Sequence, residues 1–271
     1  MFFAHQFAKA PFPVYLINVM ENSQQLFDTI CRSAGTAAVQ YNMTREGDRV
    51  LVGLSGGKDS FVLMHVLDHL KKVAPVSFSF EAVTFDPGFE EFGTEKIKAY
   101  CLKHNWIHHT VTMDIPKLLK DKDFEDSPCV LCSRLRRGKL YGLASELNCN
   151  RLALGQHLDD IVISFLMSVC RGQGLSTMAP AVEPKKPGQP AIIRPLALVP
   201  EDLIRRYAAT LELPEKSGSC QYEPTVRNGD RARFAALTET LAVQIPDLRE
   251  NIAHSLTKVE LAHLLIPPGE K

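Results

Sequence analysis

Residues 50–60 read Val50-Leu51-Val52-Gly53-Leu54-Ser55-Gly56-Gly57-Lys58-Asp59-Ser60 and run on into Phe61-Val62-Leu63-Met64-His65-Val66-Leu67. A short β-branched and aliphatic run enters a glycine pair, and an apolar stretch at helical spacing leaves it. That order predicts strand, tight loop and helix. Adjacent glycines let the backbone turn its amides towards one point, and the unpaired N–H groups and dipole of the helix make that point attractive to an anion. Lys58 adds a mobile cation, and the hydroxyls of Ser55 and Ser60 add donors, so the expected anion is a phosphate. The loop is not a Walker A sequence, which spaces four residues between its first glycine and its Gly-Lys and then requires Ser or Thr. Here Gly53 and Gly57 enclose three residues, and Asp59 follows Lys58. An acidic group at that place suits a pyrophosphate that carries magnesium.

Outward from this loop, strand and helix alternate. A helix is expected over Ser23–Tyr41, with Ser23 as its cap, ahead of a polar turn at Met43–Asp48. After the loop and its helix come a strand over Val76–Phe85 closed by the turn Asp86-Pro87-Gly88, a helix near Glu90–Asn105 and a strand at Ile107–Met113. A helix over Cys132–Leu147, the strand Arg151–Gly155 and a helix over Asp159–Cys170 continue the series. The Pro- and Lys-rich stretch Ala179–Pro190 reads as an exposed loop, and Ile192–Leu198 as a further strand. Repeated β and α units predict an α/β fold, a parallel sheet with helices on both faces and nucleotide across the carboxyl ends of the strands. The expected organisation is an N-terminal extension over 1–22, an ATP-binding domain over 23–200 and a small helical C-terminal appendage over 201–271.

The chain of 271 residues suits one large domain or one with an appendage, and 45% hydrophobic against 23% charged residues can fill a sizeable core. Its 31 basic and 31 acidic residues balance, so any RNA-binding surface must come from local clustering. The start, with Phe2, Phe3, Phe7, Phe12 and Tyr15, is interrupted by His5, Lys9, Pro11 and Pro13. It reads as a segment packing on the body or on a second copy in a homodimer, not as a signal peptide or membrane span. The expectation is a soluble, cytoplasmic protein.

A second constellation is Pro128-Cys129-Val130-Leu131-Cys132-Ser133-Arg134-Leu135-Arg136-Arg137-Gly138-Lys139. Two thiols one turn apart at a helix start have lowered pKa values and bind soft metals. Such a pair serves as a dithiol, as half of a zinc site or as part of an iron–sulfur site. Arg134, Arg136, Arg137 and Lys139 would hold a polyanion beside it. Among the seven cysteines, Cys220 stands in a polar stretch where a packing role is hard to argue, whereas Cys31, Cys101, Cys149 and Cys170 sit in apolar contexts and read as core residues. Asp160 and Asp159 compete as cap and ligand ahead of the helix that follows His157, and His157 reads equally as a structural histidine or a base.

Ser55–Ser60 resembles the PP-loop of the ATP pyrophosphatases, which split ATP between its α- and β-phosphates. From about Ser23 to Ala262 the chain is similar to the TtcA/TtuA group of tRNA thiolation enzymes, nearest its TtcA branch, the tRNA 2-thiocytidine synthetases. The resemblance rests on Glu46–Val50 running into the loop, on Cys129–Gly138, on Ala153-Leu154-Gly155-Gln156-His157-Leu158-Asp159-Asp160, on Ile193–Leu196 and on Cys220. It implies ATP with Mg2+ on Gly53, Leu54, Ser55, Gly56, Gly57, Lys58, Asp59 and Ser60, with Asp86 and Gly155 completing the nucleotide-binding set. It implies a [4Fe–4S] cluster on Cys129, Cys132 and Cys220 with one iron left for sulfide, and it implies tRNA and a source of sulfide, free or carried by a donor protein, as partners. In that reading Lys58 and Arg136 stabilise charge on the phosphates, Asp59 or Asp160 helps to hold magnesium, a base oxygen (on C2 of cytidine) is adenylated, and sulfur replaces it as AMP leaves. Where the group commonly has a second Cys-x-x-Cys this chain has Cys220 alone, and where the TtcA branch often has Gly-His-His-Arg-Asp-Asp it reads Gly155-Gln156-His157-Leu158-Asp159-Asp160. The balanced charge also fits a PP-loop enzyme that thiolates or amidates a small molecule, and the thiols alone fit a non-enzymatic metal-binding protein.

Overall fold

The structure, a computed structural model, describes residues 22–88, 93–115, 117, 128–184, 186–214 and 229–265, with the backbone alone for 128–131. Helix α1 (Ser23–Gln40) precedes strand β1 (Asp48–Gly53), helix α2 (Lys58–Val73), strand β2 (Phe78–Asp86), helix α3 (Thr94–Lys103) and strand β3 (His108–Thr112). Helix α4 (Pro128–Glu146), strand β4 (Arg151–Ala153), helix α5 (Leu158–Cys170) and strands β5 (Ala181–Val182) and β6 (Ala191–Ile193) follow. Helices α6 (Glu201–Ala208), α7 (Asp230–Gln244) and α8 (Leu248–Ser255) come last, before a 3₁₀ turn at Leu261–His263. No described helix is long and apolar enough to cross a membrane.

The strands form one sheet in the order β3-β2-β1-β4-β6-β5, parallel throughout except that β5 runs antiparallel to β6. Side chains alternate between its faces as the two-residue period demands. Val50 and Val52 of β1 and Phe78, Phe80 and Ala82 of β2 pack in one cluster with Leu26 and Ile30 of α1, Phe61 and Met64 of α2, Ile97 of α3 and Ile204 of α6. Leu51, Val83, Phe85 and Leu152 point the other way, onto Leu140 and Ala144 of α4. The expected parallel sheet covered on both faces is therefore present. Helix α5 carries α7 and α8 on its flank.

Several boundaries differ from expectation for physical reasons. Asn22, not Ser23, caps α1: its side-chain oxygen accepts the Gln24 N–H at 3.1 Å, while the Gln25 side chain accepts the Asn22 N–H at 3.3 Å. The stretch read as a loop contains β5, a two-residue edge strand squeezed between Pro180 and Pro184. The strand expected over Ile192–Leu198 spans Ala191–Ile193 only: the Arg194 N–H makes a last bond, to the Pro180 carbonyl at 2.8 Å, and Pro195 has no N–H to continue the ladder. Cys31, Cys101 and Cys149 are buried as expected, and burial pushes the thiols of Cys31 and Cys101 up to about 12 and about 11, Asp28 adding to the rise at Cys31. Cys170, expected in the core, is exposed at the end of α5, where the helix has outrun its apolar face.

The sheet is locked at the end away from its carboxyl termini by a buried ion pair between neighbouring strand starts. Asp48 of β1 accepts the Arg151 Nε–H of β4 at 3.0 Å, the Arg45 N–H at 2.7 Å and the Asn150 side-chain amide at 2.6 Å. Both charged side chains are only 5% exposed. Asp48→Ala would leave the Arg151 guanidinium buried beside an empty carboxylate site, so a loss of roughly 3–5 kcal/mol in chemical-denaturation stability is expected. The folded variant should keep its nucleotide affinity, since the pair lies at the opposite end of the sheet from the loop.

Candidate active site

β1 is flanked by β2 on one side and β4 on the other, so the chain reverses its direction of winding there. Loops leaving the carboxyl ends of two such strands diverge to opposite faces and leave a crevice between them. The loop after β1 is the glycine-rich one. Gly56 has φ +76°, a conformation a side chain disfavours, and Gly57 forms the cap of α2 in extended geometry. Ser60 is buried and structural: its hydroxyl donates to the Gly57 carbonyl at 2.8 Å and accepts the Ser55 N–H at 3.2 Å. Ser55 Oγ in turn accepts the Gly57 N–H at 3.3 Å.

Gly155, just beyond β4, fits against this loop. A Cβ there would lie 3.2 Å from the Asp59 carbonyl carbon and 3.3 Å from the Ser60 Cα, both backbone atoms that cannot swing away. The glycine thus permits the closest approach of the two loops.

Beside them a cavity of about 450 Å³ is lined by Gly53, Leu54 and Ser55, by Val83 and Phe85 at the end of β2, and by Arg136 and Tyr141 of α4. Arg194 and Gln156 close its far side, bonded to each other through the arginine Nε–H at 3.1 Å. The Arg136 Nε is buried and has no protein hydrogen-bond partner. An orphaned buried donor facing a cavity of nucleotide size is what a bound phosphate or base would satisfy. Arg137 lines the same space, while Arg134 and Lys139 lie on the exposed side of α4.

Lys58 opens α2, and its Nζ donates to Glu201 Oε1 at 2.7 Å and lies 3.0 Å from Asp59 Oδ1. Burial alone would lower the Lys58 pKa, yet the hydrogen bonds and charges of Glu201 and Asp59 raise it above its ordinary value. Glu201 is affected in the complementary sense: burial raises it, but Lys58 brings it below the usual value. Asp59, His157 and Glu201 place one donor atom each within 4.8 Å of one another, and the Lys58 ammonium lies against the two carboxylates of the set. The His157 ring is buried among Asp59, Asp159 and Asp160 at 3.6–4.0 Å.

Asp159 and Asp160, read as competing cap and ligand, are both engaged by backbone N–H groups and by arginines. Asp160 Oδ2 accepts the His157 N–H at 3.1 Å, closing the first turn of α5, and its other oxygen takes the guanidinium of Arg231 on α7. Asp159 accepts the Glu201 N–H at 2.7 Å and the Nε–H of Arg249 on α8. Asp86 is engaged in its own turn, accepting the Gly88 N–H at 2.9 Å and the Thr94 hydroxyl at 3.1 Å. Glu201, Arg194 and Arg249 are the functional candidates that sequence reasoning missed. The acidic pair directly after Pro200, and an arginine beside a strand end, were the signals available.

Cys132 is a free, half-buried thiol near the start of α4, one helical turn before Arg136. Position 129 lies on the same helix three residues earlier, but the side chain of Cys129 and the whole of Cys220 are outside the described residues.

A winding reversal, a glycine-rich loop opening a helix and a cavity across the strand ends define an ATP-binding PP-loop protein, and the model of the PP-loop domain family matches residues 27–215. Within that class the chain belongs to the family of the tRNA-cytidine(32) 2-sulfurtransferases, ATP-dependent tRNA thiolation enzymes. It is 37% identical over 242 residues to the member from Syntrophotalea carbinolica, covering 89% of this chain and 93% of that protein. The member from Deinococcus radiodurans is 38% identical over 243 residues, covering 89% and 80%. Among solved structures, the U34-tRNA thiolase NcsA from Methanococcus maripaludis with its [4Fe–4S] cluster superposes with a TM-score of 0.68 at 25% identity, over 88% of this chain and 81% of that one.

Proposed function

We propose that the chain adenylates the oxygen on C2 of a cytidine in tRNA and replaces that oxygen with sulfur. The observation that carries the reading is a single cavity walled on one side by the Ser55 loop and on the other by Arg136, on the helix that opens with the Cys129–Cys132 pair. The residues present fit a nucleotide, through the orphaned Arg136 Nε and the close seat at Gly155. Soft thiolates at 129, 132 and 220 fit iron. When bound there, a [4Fe–4S] cluster supplies an iron with an open position for sulfide.

The protein's own groups account for the first half of the reaction. The cytidine oxygen attacks the α-phosphorus of ATP, the bond to the β-phosphate oxygen breaks and pyrophosphate leaves. Lys58 and the amides of the Ser55–Ser60 loop take the growing negative charge on the pyrophosphate, and Arg136 takes that on the α-phosphate. Asp59 would hold the magnesium that accompanies the pyrophosphate, which would supply further positive charge to the leaving group. In the second half, a carbon–sulfur bond forms at C2 and the carbon–oxygen bond breaks, releasing AMP. The sulfur comes from sulfide or a donor protein, and the setting is the cytoplasm. The homodimer suggested by residues 1–22 falls on residues outside the described ones, Asn22 excepted.

Anaerobically purified protein supplied with sulfide is expected to convert ATP to AMP and pyrophosphate only when tRNA is added, and mass spectrometry should find 2-thiocytidine in the recovered tRNA. AMP formation driven equally well by a small-molecule acceptor without tRNA would overturn the reading.

A further inference from the structure

The interaction between Lys58 and Glu201 joins residues 143 apart in the chain, and it ties the loop lysine to an element outside the loop. Glu201 is the first residue of α6, and its backbone is fixed by Asp159, which accepts its N–H at 2.7 Å. Asp159 is fixed in turn by Arg249 of α8, which also bonds Glu239 of α7. The carboxylate that meets Lys58 is thus held from behind by a relay reaching into the C-terminal helices. Between Glu201 and Asp59 the Lys58 ammonium has two anionic partners, and an arriving triphosphate must compete with both for it.

We propose that Glu201 is a positioning residue that holds the Lys58 ammonium in the nucleotide-free protein and is displaced from it by the pyrophosphate portion of ATP. The inference rests on the assignment of the Ser55–Ser60 loop to pyrophosphate. A residue serving this role competes with the nucleotide for the lysine and is gone from it in the bound complex, so its loss should tighten nucleotide and raise kcat/KM for ATP together. A merely structural residue would not give that combination.

The test is calorimetry and turnover on the full chain carrying Glu201→Gln, which keeps the length and a hydrogen-bonding group but removes the charge. The affinity for ATP and for inorganic pyrophosphate should rise roughly 3- to 10-fold, the worth of one partly exposed, solvent-screened ion pair, while AMP affinity stays unchanged. The KM for ATP in the tRNA-dependent reaction should fall, and kcat/KM should rise by the same factor as the affinity. In a Lys58→Met background the same Glu201→Gln change should have no effect on affinity, because the partner it competes for is gone. Arg249→Lys, which keeps a cation on Asp159, should lie between wild type and Glu201→Gln.

Weaker ATP binding in Glu201→Gln only when magnesium is present would mean that the carboxylate serves the cation, and would overturn the inference. So would an unchanged ATP affinity, or a loss shared by AMP. Wild-type protein that binds neither ATP nor pyrophosphate would instead refute the loop assignment, which separates the two failures.

Discussion

Serine in place of any one of Cys129, Cys132 and Cys220 is expected to abolish tRNA thiolation while ATP binding persists. A hydroxyl is a hard, weakly ionised ligand and a poor substitute for thiolate on iron, so a cluster held by three protein ligands should not survive the loss of one. The nucleotide cavity is built by other residues: among its described lining are Gly53, Ser55, Phe85, Arg136 and Arg194, and neither Cys132 nor any other cysteine. The two functions meet through α4, where Cys132 and Arg136 stand one turn apart on the same face. Iron and acid-labile sulfide content, together with the visible absorption of the anaerobic protein, should fall in each variant, and ATP titration should not. Cys170→Ser is the control, because that thiol is exposed at the far end of α5 and should leave both properties intact. A Cys220→Ser protein that retains its iron and still yields 2-thiocytidine would remove Cys220 from the ligand set.

The contrast between what could and could not be read from the sequence follows the distance over which each feature is encoded. The Val50–Ser60 stretch declares itself because strand, loop and helix start are consecutive, and each is a local consequence of residue type. The two-layer core was equally legible, since alternation within β1 separates Val50 and Val52 from Leu51 without help from elsewhere. Partners far apart in the chain were not. Asp48 reads as part of a polar turn until Arg151, 103 residues on, is found buried against it. Asp160 reads as a ligand or a cap, and nothing near it reveals that Arg231 of α7 takes its second oxygen. Glu201 stands in the first turn of α6, and its meeting with Lys58 appears only when α6 packs on α2. Helix α4 starts at Pro128, ahead of the expected Cys132, because proline suits a helix's first turn, where its missing N–H costs nothing.

Replacement of Lys58 by methionine is expected to lower kcat/KM for ATP roughly 10²- to 10³-fold, about 2.7–4 kcal/mol of transition-state stabilisation, with the fold retained. Methionine preserves the bulk of the lysine stem and removes only its charge, and the helix it opens is capped by the Gly57 backbone. The loss should fall on ligands that carry pyrophosphate: the affinity of AMP should change little, because the cation's expected target is the leaving group. The pH profile offers an independent check. With Glu201 and Asp59 beside it, Lys58 titrates above its ordinary 10.5, so the ammonium stays charged through neutral and moderately alkaline pH. Any alkaline loss of wild-type activity below that value must then belong to another group and should persist in the residual activity of Lys58→Met. On the acid side the sign reverses. Glu201 titrates below its ordinary 4.5, so its contact with Lys58 is present above that pH and is lost as pH falls through the lowered value. Nucleotide affinities of wild type and Glu201→Gln measured side by side down that slope, so that the terminal phosphate's own protonation at about pH 6 is common to both, should therefore converge, and should show no such convergence once Lys58 is methionine.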